Sequence, residues 1–213
     1  MPRFLTVLDV DSTLIQDEVI ELLAEAAGVR DEVAGITDRA MAGELDFAES
    51  LAARVATLAG LPVSVFAEVS ERLRPTGGAD RLVEVVRSHG GVVAVVSGGF
   101  HETLDPLAGR LGLDRWRANR LGVVSGRLTG ETTGPIIDAA AKAESLRTWA
   151  EEFGIPLDRT IAIGDGANDL EMMRVAGLSI AFNAKPVVRA QADLVVADRE
   201  LSQVLAVMGL SSR

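Results

Sequence analysis

Phe4–Leu14 reads FLTVLDVDSTL. Its first five residues, Phe4 to Leu8, form a short, largely apolar and β-branched run, which predicts a buried strand rather than a helix. Asp9 and Asp11 follow at i and i+2, a spacing that puts both side chains on one side of an extended chain. Two carboxylates this close repel each other unless a cation joins them or one keeps a proton. Read alone, the pair shapes a turn or caps a helix as readily as it binds a ligand. Its place at the C-terminal end of a buried strand is where open α/β sheets bind theirs.

Outward from this stretch the periodicity changes. From Glu18 to Leu73 only helical spacing is visible: a stripe of Val19, Leu22, Leu23 and Ala26–Ala27 ended by Gly28, then helices over about Asp31–Met41, Asp46–Ala59 and Pro62–Leu73, with Gly43 and Gly60 as separators. Pro75-Thr76-Gly77-Gly78 closes the block. A block of roughly 60 residues exceeds an ordinary βα loop and predicts a small helical insert, residues 15–76, over the end of strand one. Residues 1–14 and 77–213 are then the core. In that core, helices over Ala79–Ser88, Glu102–Leu111, Ala139–Phe153, Asn168–Ala176, Val187–Ala192 and Leu201–Met208 alternate with strands over Val92–Val96, Thr160–Ile163, Leu178–Ala181 and Leu194–Val196. A β-hairpin turns at Ser125-Gly126. The pattern predicts an α/β fold, a doubly wound, Rossmann-like parallel sheet covered on both faces.

Composition narrows the function. With 48% hydrophobic and 24% charged residues among 213, the chain is of ordinary globular type. No apolar run spans a bilayer and no signal-peptide pattern opens the chain, so a cytoplasmic location is expected, without a membrane partner. The absence of cysteine removes disulfides, thiolate nucleophiles and cysteine-based metal sites. A net charge of −10 argues against a nucleic-acid partner. An anionic small substrate remains open, given local cations or a metal to outweigh that field.

Three further stretches carry chemistry. Gly164-Asp165-Gly166-Ala167-Asn168-Asp169 follows an apolar strand, and acids occupy it where a pyrophosphate loop would have small residues. If its strand lies beside the first, Asp165 meets Asp9 and Asp11, and a few oxygen ligands plus water suit Mg²⁺. Val92–Phe100, VVAVVSGGF, ends in Ser97, Gly98 and Gly99, able to form an anion-binding nest or simply a strand-to-helix turn. Lys142, in an alanine-rich helix opening, reads by itself as solvated surface, as do Glu18 and Arg54.

In this order the four signals resemble the haloacid dehalogenase-like superfamily of phosphotransferases. Within it, the likeness to the phosphoserine phosphatase family spans nearly the whole chain. DVDSTL resembles the opening motif, VVSGGF the second, Lys142 the third and GDGANDLEM the fourth. Glu18, MAGELDFAESLAARV in the helical block and ANRL at Ala118–Leu121 are similar to further family stretches. Val10 and Ala143 depart from the pattern at positions that touch packing more than chemistry. The proposed chemistry needs neither His89 nor His101.

The resemblance implies an Mg²⁺-dependent phosphatase that hydrolyses O-phospho-L-serine, the last step of serine biosynthesis, as a monomer or homodimer. It implies Asp9 as the nucleophile that forms a phosphoaspartate and Asp11 as general acid, then base. It implies Mg²⁺ held by Asp9, the backbone carbonyl of Asp11 and Asp165, with Asp169 nearby in support. Ser97, Gly98 and Lys142 would bind phosphoryl oxygens, with Asn168 close by. Glu18 would meet the substrate ammonium, Arg54 its carboxylate, and Phe47 and Met41 would enclose it. Raised by a neighbouring carboxylate and free of a side-chain bond to the metal, Asp11 suits a general acid. Other small phosphomonoesters, a phosphorylatable receiver domain and a catalytically silent binding protein are the competing readings.

Overall fold

A computed structural model describes residues 1–41 and 44–210, with Met41 by its backbone alone. The separator expected at Gly43 and the Met41 side chain lie outside the described residues. Seven strands form one sheet: β1 (Phe4–Leu8), β2 (Gly91–Phe100), β3 (Arg115–Val124), β4 (Arg127–Thr133), β5 (Thr160–Gly164), β6 (Leu178–Phe182) and β7 (Leu194–Val196). Their order is β4-β3-β2-β1-β5-β6-β7, and every pair except β3–β4 is parallel. β1 lies between β2 and β5, with Leu8 level with Val95 on one side and Ile163 on the other. The chain therefore leaves β1 toward β2 and later returns to its opposite side at β5. Such a switch of direction opens a crevice at the C-terminal strand ends.

Apolar residues alternate between the two faces of the sheet. Leu8, Val93, Val95, Ile163 and Ile180 pack toward α5 (Ala79–Ser88), α6 (His101–Leu111) and α10 (Ser202–Val207). Leu5, Val7, Val92, Ala94, Val96 and Ala162 pack toward α7 (Ala139–Phe153) and α8 (Leu170–Val175), with Val188 of α9 (Pro186–Arg189) in the same cluster. Both faces being dry, β1 and β2 carry no polar alternation, and their continuous apolar runs follow.

The hairpin turns at Ser125 and Gly126, with φ of 52° and 73°. Positive φ at both central residues matches the twist of the flanking strands. β3 begins at Arg115, ten residues before the turn at Ser125, and joins the main sheet through Ala94–Arg115, Val95–Trp116 and Val96–Arg117. Its arginines at 115, 117 and 120 interrupt any apolar run, so this half of the strand has no signature of its own.

Between β1 and α5 stand α1 (Val19–Ala27), α2 (Arg30–Met41), α3 (Phe47–Ala56) and α4 (Val65–Arg72). Asp46 and Glu49 form a reciprocal capping box that starts α3, each satisfying a backbone N–H of the other. The chain entering this block and the chain leaving it are tied together. Gln16 N–H donates to Arg74 O at 2.9 Å, Arg74 N–H donates to an Asp17 carboxylate oxygen at 2.8 Å, and the Arg74 guanidinium donates to the other at 2.6 Å. The far end is fastened to the hairpin, where Gly60 N–H donates to Leu128 O and Leu128 N–H to Leu61 O at 2.8 and 2.9 Å. Arg127 adds a bond to Gly60 O at 2.7 Å.

Gly130 makes this docking possible. It lies at φ 83°, and a Cβ there would come within 2.9 Å of Ala59 Cβ. Gly130→Ala combines a left-handed backbone with a clash against Ala59, just beyond α3, and is expected to lower unfolding free energy by about 1–3 kcal/mol. Urea denaturation measures it; an unchanged midpoint means that the hairpin does not clamp the helical block.

Candidate active site

The site is built where β1, β2 and β5 end. After Asp9 (ψ 163°) the chain does not stay extended: it turns at Val10, and Ser12 is forced to φ 58°. Asp9 and Asp11 thus reach the same pocket through a turn and not through strand alternation. A non-glycine residue at positive φ is a cost carried where the local geometry is demanded by its surroundings. Ser12 Oγ donates to Glu18 Oε1 at 2.7 Å, and Val19 N–H donates to Asp11 Oδ1 at 3.0 Å, so the turn is bonded to the start of α1.

Lys142 lies at the floor. On sequence alone it reads as surface, yet it is 0% exposed. Asp138 caps α7 by accepting from Ala141 N–H at 2.8 Å, which sets the helix so that position 142 faces inward. Its ammonium pairs with Asp9 Oδ1 and, at 2.7 Å, with Asp169 Oδ1. Burial works to lower the lysine's pKa, but Asp169 and Asp9 outweigh burial and raise it above its ordinary range. The lysine is a fixed cation. Two of its three donors are taken by Asp9 and Asp169, and the side chain lies buried beneath the cavity lining.

Asp169 is fully buried, and both its oxygens are engaged: Oδ1 by Lys142, Oδ2 by the N–H groups of Asp165 and Gly166 at 3.2 and 3.1 Å. It orders the loop that carries Asp165. Gly164 is required beneath it, since a Cβ there would run into the Asp169 carboxylate. Thr13 Oγ1 reaches Asp165 Oδ1 at 3.5 Å.

Oxygens of Asp9, Asp165 and Asp169 lie within 4.8 Å of one another, a spacing that could hold a metal ion. The electrostatics agree. Burial raises the Asp9 pKa, Lys142 opposes it, and Asp169, Asp11 and Asp165 add to the rise. Asp165 is pushed up to about 6 by burial and by Asp169. Four carboxylates meet two ammonium groups, Lys142 and, acting on Asp165, Lys185, and hard oxygen donors with surplus negative charge fit a hard divalent cation.

Asp11 is pushed up to about 7, first by burial and then by Glu18, against hydrogen bonds from Val19 and Ser97. The neighbour that matters most is Glu18, where the sequence reading had placed Asp9. Ser97 Oγ donates to Asp11 Oδ2 at 3.1 Å and accepts Gly99 N–H at 2.8 Å. Ser97–Gly99 lie in the gap of the β2–β3 register between Val96 and Phe100, where the strand bulges.

A cavity of about 330 Å³ covers these groups, lined by Asp9, Asp11, Gly98, Asp165 and Asn168 from below. Glu18, Phe47 and Arg54 line it from the helical block. The Phe47 ring stands so near Gly98 that a Cβ there would meet it at 3.0 Å. Arg54 is half-buried, with Nε–H donating to Ser50 O at 3.1 Å. Burial lowers its pKa, while Glu18 and Asp11 draw it back up. Met41 ends α2, with its side chain outside the described residues. Glu21, Ile20, Leu51 and Lys185 also line the cavity, and sequence reasoning missed them. Ile20, Glu21 and Leu51 sit on helices whose inward faces are legible only once the block is docked.

A parallel sheet with paired acids at one strand end, a buried lysine and a helical cover defines a phosphoryl-transfer hydrolase site. Residues 6–174 match the model of the haloacid dehalogenase-like hydrolases, and the chain belongs to that family. Its relatives there include phosphoserine phosphatases. That of Streptococcus thermophilus is 52% identical over 204 residues, covering 96% of this chain and 95% of the relative. That of Streptomyces coelicolor is 55% identical over 207 residues, 97% of this chain but 50% of the relative. The chain thus spans about half the length of some curated relatives it matches. A solved structure described as a phospho-aspartyl intermediate analogue of phosphoserine phosphatase superposes with a TM-score of 0.91 at 42% identity, covering 97% of this chain and 99% of that one.

Asp11 gives a stability test. Its folded pKa lies above the unfolded value, so its contribution is fully present below about pH 4 and is lost as pH rises through about 7. In metal-free protein, Asp11→Asn should be more favourable at pH 8 than at pH 5 by about 1–3 kcal/mol, read from denaturation curves. An effect independent of pH would show that Asp11 titrates normally.

Proposed function

We propose that this chain is an Mg²⁺-dependent phosphatase that hydrolyses O-phospho-L-serine to L-serine and phosphate through a phosphoaspartate on Asp9. The observation that carries the reading is one cavity with a lysine-paired carboxylate and a carboxylic acid of pKa about 7 on its floor, and a carboxylate and a guanidinium in its roof. The names and titles of the relatives support the substrate. In this proposal residues 15–76 form a cap domain on a core of residues 1–14 and 77–213. The setting is cytoplasmic serine biosynthesis, with the protein a monomer or homodimer.

An Asp9 oxygen attacks phosphorus, the bond from phosphorus to the seryl oxygen breaks, and Asp11 gives its proton to that oxygen. A pKa near 7 keeps enough of the acid form for this step and enough of the base form for the next. Water then loses a proton to Asp11 and attacks phosphorus, releasing phosphate and restoring the Asp9 carboxylate. Lys142 Nζ and the Ser97–Gly98 turn bind the phosphoryl oxygens, with Asn168 beside them. Asp9, Asp165 and the Asp11 carbonyl, supported by Asp169, would hold Mg²⁺, which would neutralise charge on the transferring group.

Specificity is assigned to the roof. Arg54 can fork onto the substrate carboxylate, Glu18 can take the ammonium, and Phe47 and Met41 complete the enclosure. Phosphate release from O-phospho-L-serine should vanish with chelator and return with Mg²⁺. In the same assay Arg54→Ala should lose roughly 2–5 kcal/mol of transition-state binding for phosphoserine and little for phosphoethanolamine, which has no carboxylate. Full activity in metal-free protein would overturn the metal assignment, and an equal loss on both esters would remove Arg54 from substrate choice.

A further inference from the structure

Asn119 is 1% exposed and sits on β3, outside the cavity lining. Its side chain nevertheless joins two chemistry-bearing segments. Nδ2–H donates to Gly98 O at 2.8 Å, and Oδ1 accepts Ile137 N–H at 2.9 Å. Only one orientation of the amide satisfies both partners, so the flip is fixed. The first partner belongs to the Ser97–Gly99 bulge. The second belongs to the residue before Asp138, the cap of the helix that carries Lys142. The bulge and the entry to α7 are close here: a Cβ on Gly98 would lie 3.8 Å from Ile137 O.

The backbone around Asn119 is itself latched. Ala118 N–H donates to His101 Nε2 at 3.1 Å and Leu121 N–H to Glu102 Oε1 at 3.2 Å, both acceptors standing at the start of α6 directly after the bulge. The Gly98–Gly99 peptide is consequently gripped on both edges, by Asn119 at its carbonyl and by Ser97 Oγ at its N–H. Neither grip comes from the sheet ladder, whose register skips these residues.

We infer that Asn119 is a positioning residue that holds the Ser97–Gly99 anion-binding turn and the Lys142 helix in one frame, so that the two sets of phosphoryl contacts keep a fixed separation. This deepens the phosphatase reading above and rests on it for the identity of the anion. Asp9 and Asp165 end other strands, and the acidic cluster meets this frame only through the Lys142 pairs with Asp9 and Asp169, so metal binding should depend on Asn119 less than phosphate binding does.

Asn119→Asp keeps the size and the acceptor for Ile137 N–H but sets a carboxylate oxygen against Gly98 O. In a variant shown to be folded, kcat for phosphoserine should fall about ten- to hundredfold, the cost of a modest misplacement of reacting groups. Inorganic phosphate, titrated into Mg²⁺-loaded protein, should bind correspondingly more weakly, while the Mg²⁺ concentration for half-saturation shifts several-fold less than the phosphate affinity does. Asn119→Ser, which leaves room for a bridging water, serves if the aspartate variant does not fold and should show the same split in milder form. In the unsubstituted protein, phosphate should slow hydrogen exchange at the Ile137 amide, although Ile137 does not line the cavity. Unaltered phosphate affinity and kcat in a folded variant, or parallel losses for Mg²⁺ and phosphate, or an Ile137 amide indifferent to phosphate, would overturn the inference. If the unsubstituted protein fails to hydrolyse phosphoserine, the functional reading falls, and phosphate titration still decides the role of Asn119.

Discussion

The ion pair of Lys142 with Asp9 and Asp169, sealed beneath the sheet's C-terminal edge, is the interaction on which the rest depends. An unpaired charge there would be expelled or neutralised. One ammonium satisfies two carboxylates and leaves a third, on Asp165, and a fourth, on Asp11, with charge to spare. The fold must hold this surplus against its own repulsion. It does so by bonding its members to backbone or to a fixed side chain: Asp169 to two loop amides, Asp11 to the start of α1 and to Ser97, Asp9 to Lys142, and Asp165, more loosely, to Thr13. An arrangement of this kind is costly when empty and favourable when a cation and a phosphoryl group enter. Stability is set aside for binding.

The same bonds tie the helical block to the chemistry. Ser12 and Asp11 connect the β1 turn to Glu18 and Val19, so the roof begins one residue from Asp11's own hydrogen-bond partner. Asp17 and Arg74 zip the two crossings, and the β3–β4 hairpin holds the α3–α4 connection. The block is anchored at both ends. Phe47 and Arg54, on the helix beside the hairpin, are thereby presented to the Gly98 turn at fixed height. A roof so anchored places one anion, Glu18, and one cation, Arg54, over the same cavity.

Much of this was legible before any coordinates. β1, β2 and β5 announce themselves because a strand buried on both faces must be apolar throughout, and the polar residue ending each run marks the crevice. The helical block was legible from its 3.6-residue spacing. Lys142 was legible only through the family resemblance: residue type and position alone suggest a solvated lysine, and the helix phase set by Asp138 and the facing acids explains its burial. Glu18 and Arg54 are similar, since their meaning depends on a docking that brings residues far apart in sequence to one cavity. The first half of β3 went unseen because its arginines are paid for by tertiary partners such as Ser145 and Glu152. Asn119 was visible only as part of a familiar tetrapeptide. Its work consists of two bonds to backbone groups 21 and 18 residues away, which local sequence does not encode.

The central claim is that Asp9, and not its neighbour Asp11, carries the phosphoryl group. Quenching turnover of O-phospho-L-serine with borohydride reduces an aspartyl phosphate to homoserine, which peptide mass spectrometry locates. Conversion of Asp9 alone, abolished in Asp9→Asn, is the result predicted by a carboxylate held on Lys142 beside a partner of pKa about 7. Conversion of Asp11, or turnover at the normal rate by Asp9→Asn with no residue marked, would contradict it.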